Sequence, residues 1–213
     1  MTSRHSIERD DARLAVSRHA AKLFVDRGVA GTSGDDIAAA AGVSTRTVWR
    51  YFRSKESCVE PLLARSARRF SAQLREWPRD TTIEAHLGAC FALDRQAPQD
   101  IADGVLIVRL IALLPREPAL RTAWLMACHQ GEQDLIGIVA NRLDRSPGDF
   151  DVKLCAATVA AAIRVIDETI SMAAVSHGQT FTTAEVVERL AQAIRAASPL
   201  PFCDPVVPRI FGA

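Results

Sequence analysis

Apolar residues recur at spacings of three and four along nearly the whole chain, and no strand-like alternation persists for more than a few residues. That is the period of a helix with one buried face, so the fold class is all-α. Breakers divide the pattern into about nine helices, expected over 10–27, 34–41, 45–51, 55–75, 82–96, 99–114, 118–144, 149–175 and 183–197. Each boundary has a local cause. Gly28 ends the first helix, whose inner side carries Leu14, Ala20, Leu23 and Phe24. Trp77-Pro78 stops the fourth, because the residue before a proline is pushed out of helical geometry. Pro98, Pro115 and Pro118 punctuate the middle, Ser146-Pro147-Gly148-Asp149 supplies a cap for the eighth helix, and Thr182 with Glu185 forms a capping box for the ninth. The tail from Ser198, with Pro199, Pro201, Pro205 and Pro208, cannot continue a helix; it is either an extended packed segment or disordered.

A content of 48% hydrophobic and 24% charged residues belongs to a globular protein rather than to low-complexity disorder. The formal net charge of +1 gives no global sign of a nucleic-acid partner, but the charge is unevenly spread. Residues 1–70 hold 13 Lys and Arg against 8 Asp and Glu, whereas the rest holds 13 against 17. A basic head therefore precedes an acidic body, which places any polyanion-binding site in the head. The first residues form no apolar leader, and the run Val105–Leu114 is interrupted by Arg109 and too short to span a bilayer, so no membrane segment and a cytoplasmic location are expected. Cys58, Cys90, Cys128, Cys155 and Cys203 lie far apart, as suits reduced buried thiols, and no metal site or cofactor is expected.

Between Thr32 and Glu56 the residues explain one another. Ser33 can cap the second helix, with Asp36 completing a capping box, and Ile37 points inward. Small alanines allow close approach of a third helix. Gly42 stands where the chain must turn left-handed, Val43 plugs the core beneath the turn, and Ser44 caps the next helix. This is a tight helix-turn-helix. On its second helix Val48 and Phe52 share the buried face, while Arg46, Thr47, Trp49, Arg50 and Tyr51 take the rest of the circumference. A DNA major groove gives such a helix a purpose: arginines pair with guanine edges, and hydroxyls reach bases or phosphates. Arg53 and Lys55 would add salt-sensitive attraction to the flanking backbone.

The run T-S-x-x-D-I-A-x-x-A-G-V-S-x-x-T-V-W-R-Y-F-x-S-K-E, within about residues 13–62, resembles the DNA-binding signature of TetR-type regulators. The resemblance implies a three-helix DNA-binding domain over 1–54, a six-helix effector-binding and dimerisation domain over 55–197, and a proline-rich tail over 198–213. It implies a ligand-responsive regulator rather than an enzyme, usually a repressor released from its operator by a small, largely apolar effector. Repression or activation is set by where the operator lies in a promoter. By position, Thr47 and Trp49 match phosphate-contacting residues, Ser44, Thr45, Arg46, Arg50 and Tyr51 match the variable readers, and Lys55 matches the lysine that opens the fourth helix. Ser33 joins them as a cap whose hydroxyl and neighbouring N–H groups face one place. Trp49 stands where tyrosine is commonest, and its indole N–H can donate to phosphate but cannot accept.

One helix-turn-helix reads too few base pairs for a genomic address, so a homodimer on a palindromic double-stranded operator is expected, its reading helices about 34–36 Å apart. The stripe Val159, Ile163, Ile166 and Ile170 on the eighth helix, with Val187, Leu190 and Ile194 on the ninth, is the expected dimer interface; the alternative is that it faces its own domain. His86, Phe91, Arg109, Trp124, Met126 and His129 are the candidate effector-binding residues, as large or polar groups on apolar helices. Arg109 reads either as the partner of an acidic group or as a side chain that snorkels to solvent. Two other readings compete. A helical enzyme would show E-x-x-H, H-E-x-x-H, G-x-S-x-G or a phosphate-binding glycine loop, and none is present. A scaffold that no longer binds DNA is disfavoured by the intact basic reader helix.

Overall fold

Proline and capping side chains set most of the helix limits. The computed structural model describes residues 4–206, with side chains from Glu8 onward. Among them are nine α-helices and no strand: α1 (Arg4–Arg27), α2 (Gly34–Ala41), α3 (Thr45–Tyr51), α4 (Glu60–Arg75), α5 (Ile83–Phe91), α6 (Pro98–Ile111), α7 (Pro118–Arg142), α8 (Phe150–Ser176) and α9 (Thr183–Ala197). The all-α reading and its helix order hold. Four boundaries differ for local reasons. Helix α1 begins at Arg4, well before Asp10. The fourth helix opens with a 3₁₀ turn, Glu56–Val59, because Pro61 has no N–H to bond the carbonyl four residues back. The fifth ends at Phe91, whose carbonyl accepts from the Gln96 side-chain amide at 3.0 Å, and only a 3₁₀ turn, Leu93–Arg95, follows. Asp149 rather than Ser146 precedes α8; it makes no capping bond, because its carboxylate accepts from Arg145 Nε at 3.0 Å.

The chain divides into two compact units, one of residues up to 67 with 98–127, the other of 68–97 with 128 onward. In the first, Val16, Ala20, Phe24, Ile37, Val48, Phe52, Val59 and Leu62 are buried, so α1, α2, α3 and the start of α4 share one core. Helix α6 packs on α1 in the same unit through a buried ion pair. Arg18 Nε and Nη2 each donate to Asp103 at 2.8 Å, and Gln99 Nε2 donates to the same carboxylate at 2.8 Å. The buried carboxylate is offset here by three side-chain hydrogen bonds, two of them from a cation that keeps some contact with solvent.

The second unit has a continuous core of Trp77, Ile83, Leu87, Leu135, Val139, Val152, Cys155, Val159, Leu190, Ile194 and Phe202. The tail up to residue 206 is packed, with Phe202 and Cys203 buried; Pro208 and the rest of the tail lie outside the described residues. Arg142 organises this region. Its guanidinium lies 3.6 Å from the Trp77 ring centroid and donates to the carbonyls of Phe202 (2.7 Å), Pro78 (2.9 Å) and Thr81 (2.8 Å). Asp204 O at 3.2 Å completes the set, so the tail is tied to the loop after α4 by one buried cation that has carbonyl dipoles instead of a carboxylate. No helix among the described residues is long and apolar enough to cross a membrane.

Candidate nucleic-acid interface

Two caps and one glycine build the helix-turn-helix. Ser33 Oγ accepts from Asp36 N at 3.1 Å while the Asp36 carboxylate accepts from Ser33 N at 2.8 Å, a complete capping box. The Ser33 hydroxyl and N–H hold the Asp36 carboxyl below the usual carboxylate range. Gly42 closes α2 at φ +66°, a conformation that costs other residues a Cβ clash, and Val43 N donates to Ala38 O at 3.0 Å. Ser44 Oγ accepts from Thr47 N at 3.1 Å and so starts α3. Val48 and Phe52, 0% and 5% exposed, fix which face of α3 turns inward, so its outer face is determined as well.

That outer face carries Arg46, Trp49 and Arg50, all exposed, with the Arg50 guanidinium 5.1 Å from the Tyr51 ring centroid. Thr47 is half-buried, its hydroxyl 2.9 Å from that of Ser44, and Thr45 Oγ1 donates to Asp35 at 2.7 Å. Thr47 is therefore held by the cap of its own helix and Thr45 by α2 before any ligand arrives, while the arginines are free to adapt. Lys55 does more than open the next segment. Its ammonium donates to Val29 O at 2.7 Å and Thr32 O at 2.9 Å, tying the turn between α1 and α2 to the chain after α3. An ammonium has three donors, so one remains for an anion. Arg53 pairs with Glu60. Two features lay beyond the sequence reading: the Lys55 clamp, and the seating of Trp49 against Gly34 described below.

The motif's geometry agrees with what the chain resembles. Residues 18–62 match the profile of bacterial regulatory proteins of the tetR family. Over 78 residues the chain is 40% identical to the HTH-type transcriptional regulator EthR of Mycobacterium tuberculosis, covering 35% of this chain and 36% of EthR. Over 129 residues it is 30% identical to the HTH-type transcriptional regulator TcmR of Streptomyces glaucescens, covering 59% of this chain and 57% of TcmR. Residues 18–62 thus form a segment similar to the DNA-binding part of the tetR family. The matches thus span about a third to a little over half of these curated relatives. Solved structures extend the likeness in fold alone. Salmonella enterica GusR superposes with a TM-score of 0.56 at 19% identity, covering 87% of this chain and 96% of GusR. A tetR-family transcriptional regulator from Streptomyces coelicolor gives 0.55 at 21% identity, covering 88% and 80%.

Outside the matched segment, the residues expected to bind an effector are scattered in environment. His86 is buried, stacks on Trp77 (ring centroids 5.8 Å apart, 13° between planes) and donates Nε2–H to Gln73 O at 2.9 Å. Burial, with the Arg142 charge nearby, lowers its pKa despite the Gln73 bond. Phe91, half-buried, meets the Phe70 ring edge-on at 6.5 Å between centroids. Trp124 is buried, whereas Arg109, Met126 and His129 are exposed; Arg109 thus follows its snorkelling alternative. Asp167, half-buried on α8, has its carboxyl pushed up by burial and by the neighbouring Glu168. Among the described residues no cluster of His, Cys, Asp or Glu could hold a metal ion.

The expected dimer stripe lies, in the single chain, along the core of its own unit. Val159, Val187, Leu190 and Ile194 are buried in a single chain and belong to the core of their own unit, with Ile163 and Ile166 packed against it and Ile170 half-buried beside them. Val159, Val187, Leu190 and Ile194 thus follow the alternative that the stripe faces its own domain, whereas Ile163, Ile166 and Ile170 keep part of their surface. The opposite side of α8 carries Leu154, Val165 and Val175, which are exposed apolar residues. The three-and-four spacing that singled out the inner stripe marks a buried face, not what buries it.

Proposed function

We propose that this protein is a DNA-binding transcriptional regulator that binds a palindromic double-stranded operator as a homodimer and is released by a small, largely apolar effector. The observation that carries the reading is the outer face of α3. Arg46, Trp49 and Arg50 stand exposed on a helix whose inner face is locked by Val48 and Phe52. Nothing in packing requires them there, whereas a major groove admits such a helix and supplies guanine edges and phosphates. Ser33, Ser44, Thr45, Thr47, Tyr51 and Lys55 surround this face as caps and backbone contacts, and the likeness of residues 18–62 to tetR-family proteins supports repression and dimerisation. The proposed division is a DNA-binding domain over 1–54, an effector and dimer domain over 55–197 and a tail beyond. The effector acts only if it binds the released conformer better than the bound one, by roughly 5.5 kcal/mol for a 99:1 reversal.

The test is a mobility-shift titration on the duplex upstream of the protein's own gene. The unmodified chain retards this duplex better than a scrambled one, and Arg50→Ala loses about 1–3 kcal/mol of that preference. Equal affinity for both duplexes in the unmodified chain would sink the proposal.

A further inference from the structure

Gly34 opens α2, and its backbone does not need a glycine: among the described glycines only Gly28, Gly42 and Gly178 have positive φ. An alanine in this turn would favour the helix. What excludes it is Trp49. A Cβ added at Gly34 would overlap Trp49 Cζ2 and lie 2.8 Å from Cη2 and 3.0 Å from Cε2, whereas real Cβ atoms do not approach within 3 Å. No other described glycine is closed by a side chain at such range. Cε2 is bonded to Nε1, so the edge of the indole that carries its N–H is the edge turned to the first turn of α2. Trp49 is nevertheless 46% exposed, with its outer surface free. A second tie, from Thr45 Oγ1 to Asp35 at 2.7 Å, brings the start of α3 onto the same turn and brackets the ring.

We propose that Gly34 is a positioning residue of the DNA-reading face: its missing side chain seats the Trp49 indole across the first turn of α2 and holds the indole N–H there for a backbone phosphate. The inference rests on the DNA-binding reading above. It explains how tryptophan fills a position that would otherwise hold a smaller ring. The larger ring needs room, and Gly34 provides it. It also makes the contact indirect in origin, since a residue with no side chain sets the affinity through its neighbour.

The experiment compares the full chain with Gly34→Ala, Trp49→Phe and the double variant. Each is titrated with the gene's upstream duplex and with a short mixed-sequence duplex over a range of salt. Gly34→Ala is expected to weaken both duplexes about tenfold and to flatten the salt dependence by about one phosphate. Its far-UV spectrum and melting temperature should not change, because an indole at the surface can swing aside. Trp49→Phe, which removes both the N–H and the overlapping ring atoms, should match it, and adding Gly34→Ala to that background should change nothing. Were Gly34→Ala alone to unfold, the double variant would have to fold as Trp49→Phe does. Affinity and salt slope unaltered by Gly34→Ala, or equal losses in both backgrounds, overturn the inference while leaving DNA binding intact. An unmodified chain that binds neither duplex at low salt overturns both together.

Discussion

Arg18 and Asp103 show how much one residue pair can decide in this fold. Asp103 is 6% exposed, and burial alone would raise its pKa. The bonds from Arg18 and Gln99 and the charges of Arg18 and Arg65 outweigh burial, so the carboxyl sits below its usual range. A group whose pKa is lowered by folding contributes stability above its unfolded pKa, and that contribution fades as pH falls through the folded value. Asp103→Asn keeps the shape but leaves Arg18 facing a neutral amide. It should cost roughly 2–3 kcal/mol at pH 7, below the usual cost of breaking a fully buried pair because Arg18 retains some solvent. The gap between variant and unmodified protein should begin to narrow below about pH 4, where the carboxyl of the unfolded chain protonates, and close as pH falls through the lower folded value. Urea denaturation at pH 7 and pH 3 measures both, and equal losses at the two would refute the argument. Arg142 is the counter-case, a buried cation with no acid to titrate, stabilised by carbonyls through the whole acidic range.

At the scale of elements, the parts legible in the sequence were those whose cause is local. Ser33 with Asp36, Gly42, Ser44, and Thr182 with Glu185 each act within four residues, and each sits where its spacing placed it. Removing one such cause has a bounded effect. Ser33→Ala removes the hydroxyl that caps Asp36 N while the backbone N–H of residue 33 still reaches the Asp36 carboxylate, and it should cost about 1 kcal/mol in chemical denaturation, with the melt still cooperative. A loss under a few tenths would mean that Gly34–Ala41 is held by packing alone. Features that depend on distant partners were not legible. The Lys55 clamp on Val29 and Thr32 and the seat of Trp49 on Gly34 both join residues that no periodicity relates. The motif named the residues of the reading face, but only the folded chain separates the hydroxyl of Thr45, already committed to Asp35, from the uncommitted guanidinium of Arg46.

For the whole molecule, function as proposed requires two chains, and the packing of α8 says which surface is open to the second. Its inner side, with Val159 at 1% exposure, completes the core of its own unit. Its outer side shows Leu154, Val165 and Val175 at 43%, 53% and 47%. Those three project from one flank of a single helix, opposite the core stripe, at the period that lets them share an interface. Isolated exposed apolar residues need no explanation, but a row of them along a 27-residue helix offers a self-complementary face to a two-fold partner. The two sides of the helix therefore answer differently to substitution. Val165→Asp should convert the protein to a monomer in sedimentation velocity and abolish tight binding to the palindromic duplex, while single half-site binding at low salt persists. Val159→Ala should instead keep the dimer and lower stability by roughly 1–3 kcal/mol through the cavity it leaves. A Val165→Asp protein that still sediments as a dimer would place the interface elsewhere and would separate the helix's outer row from DNA recognition.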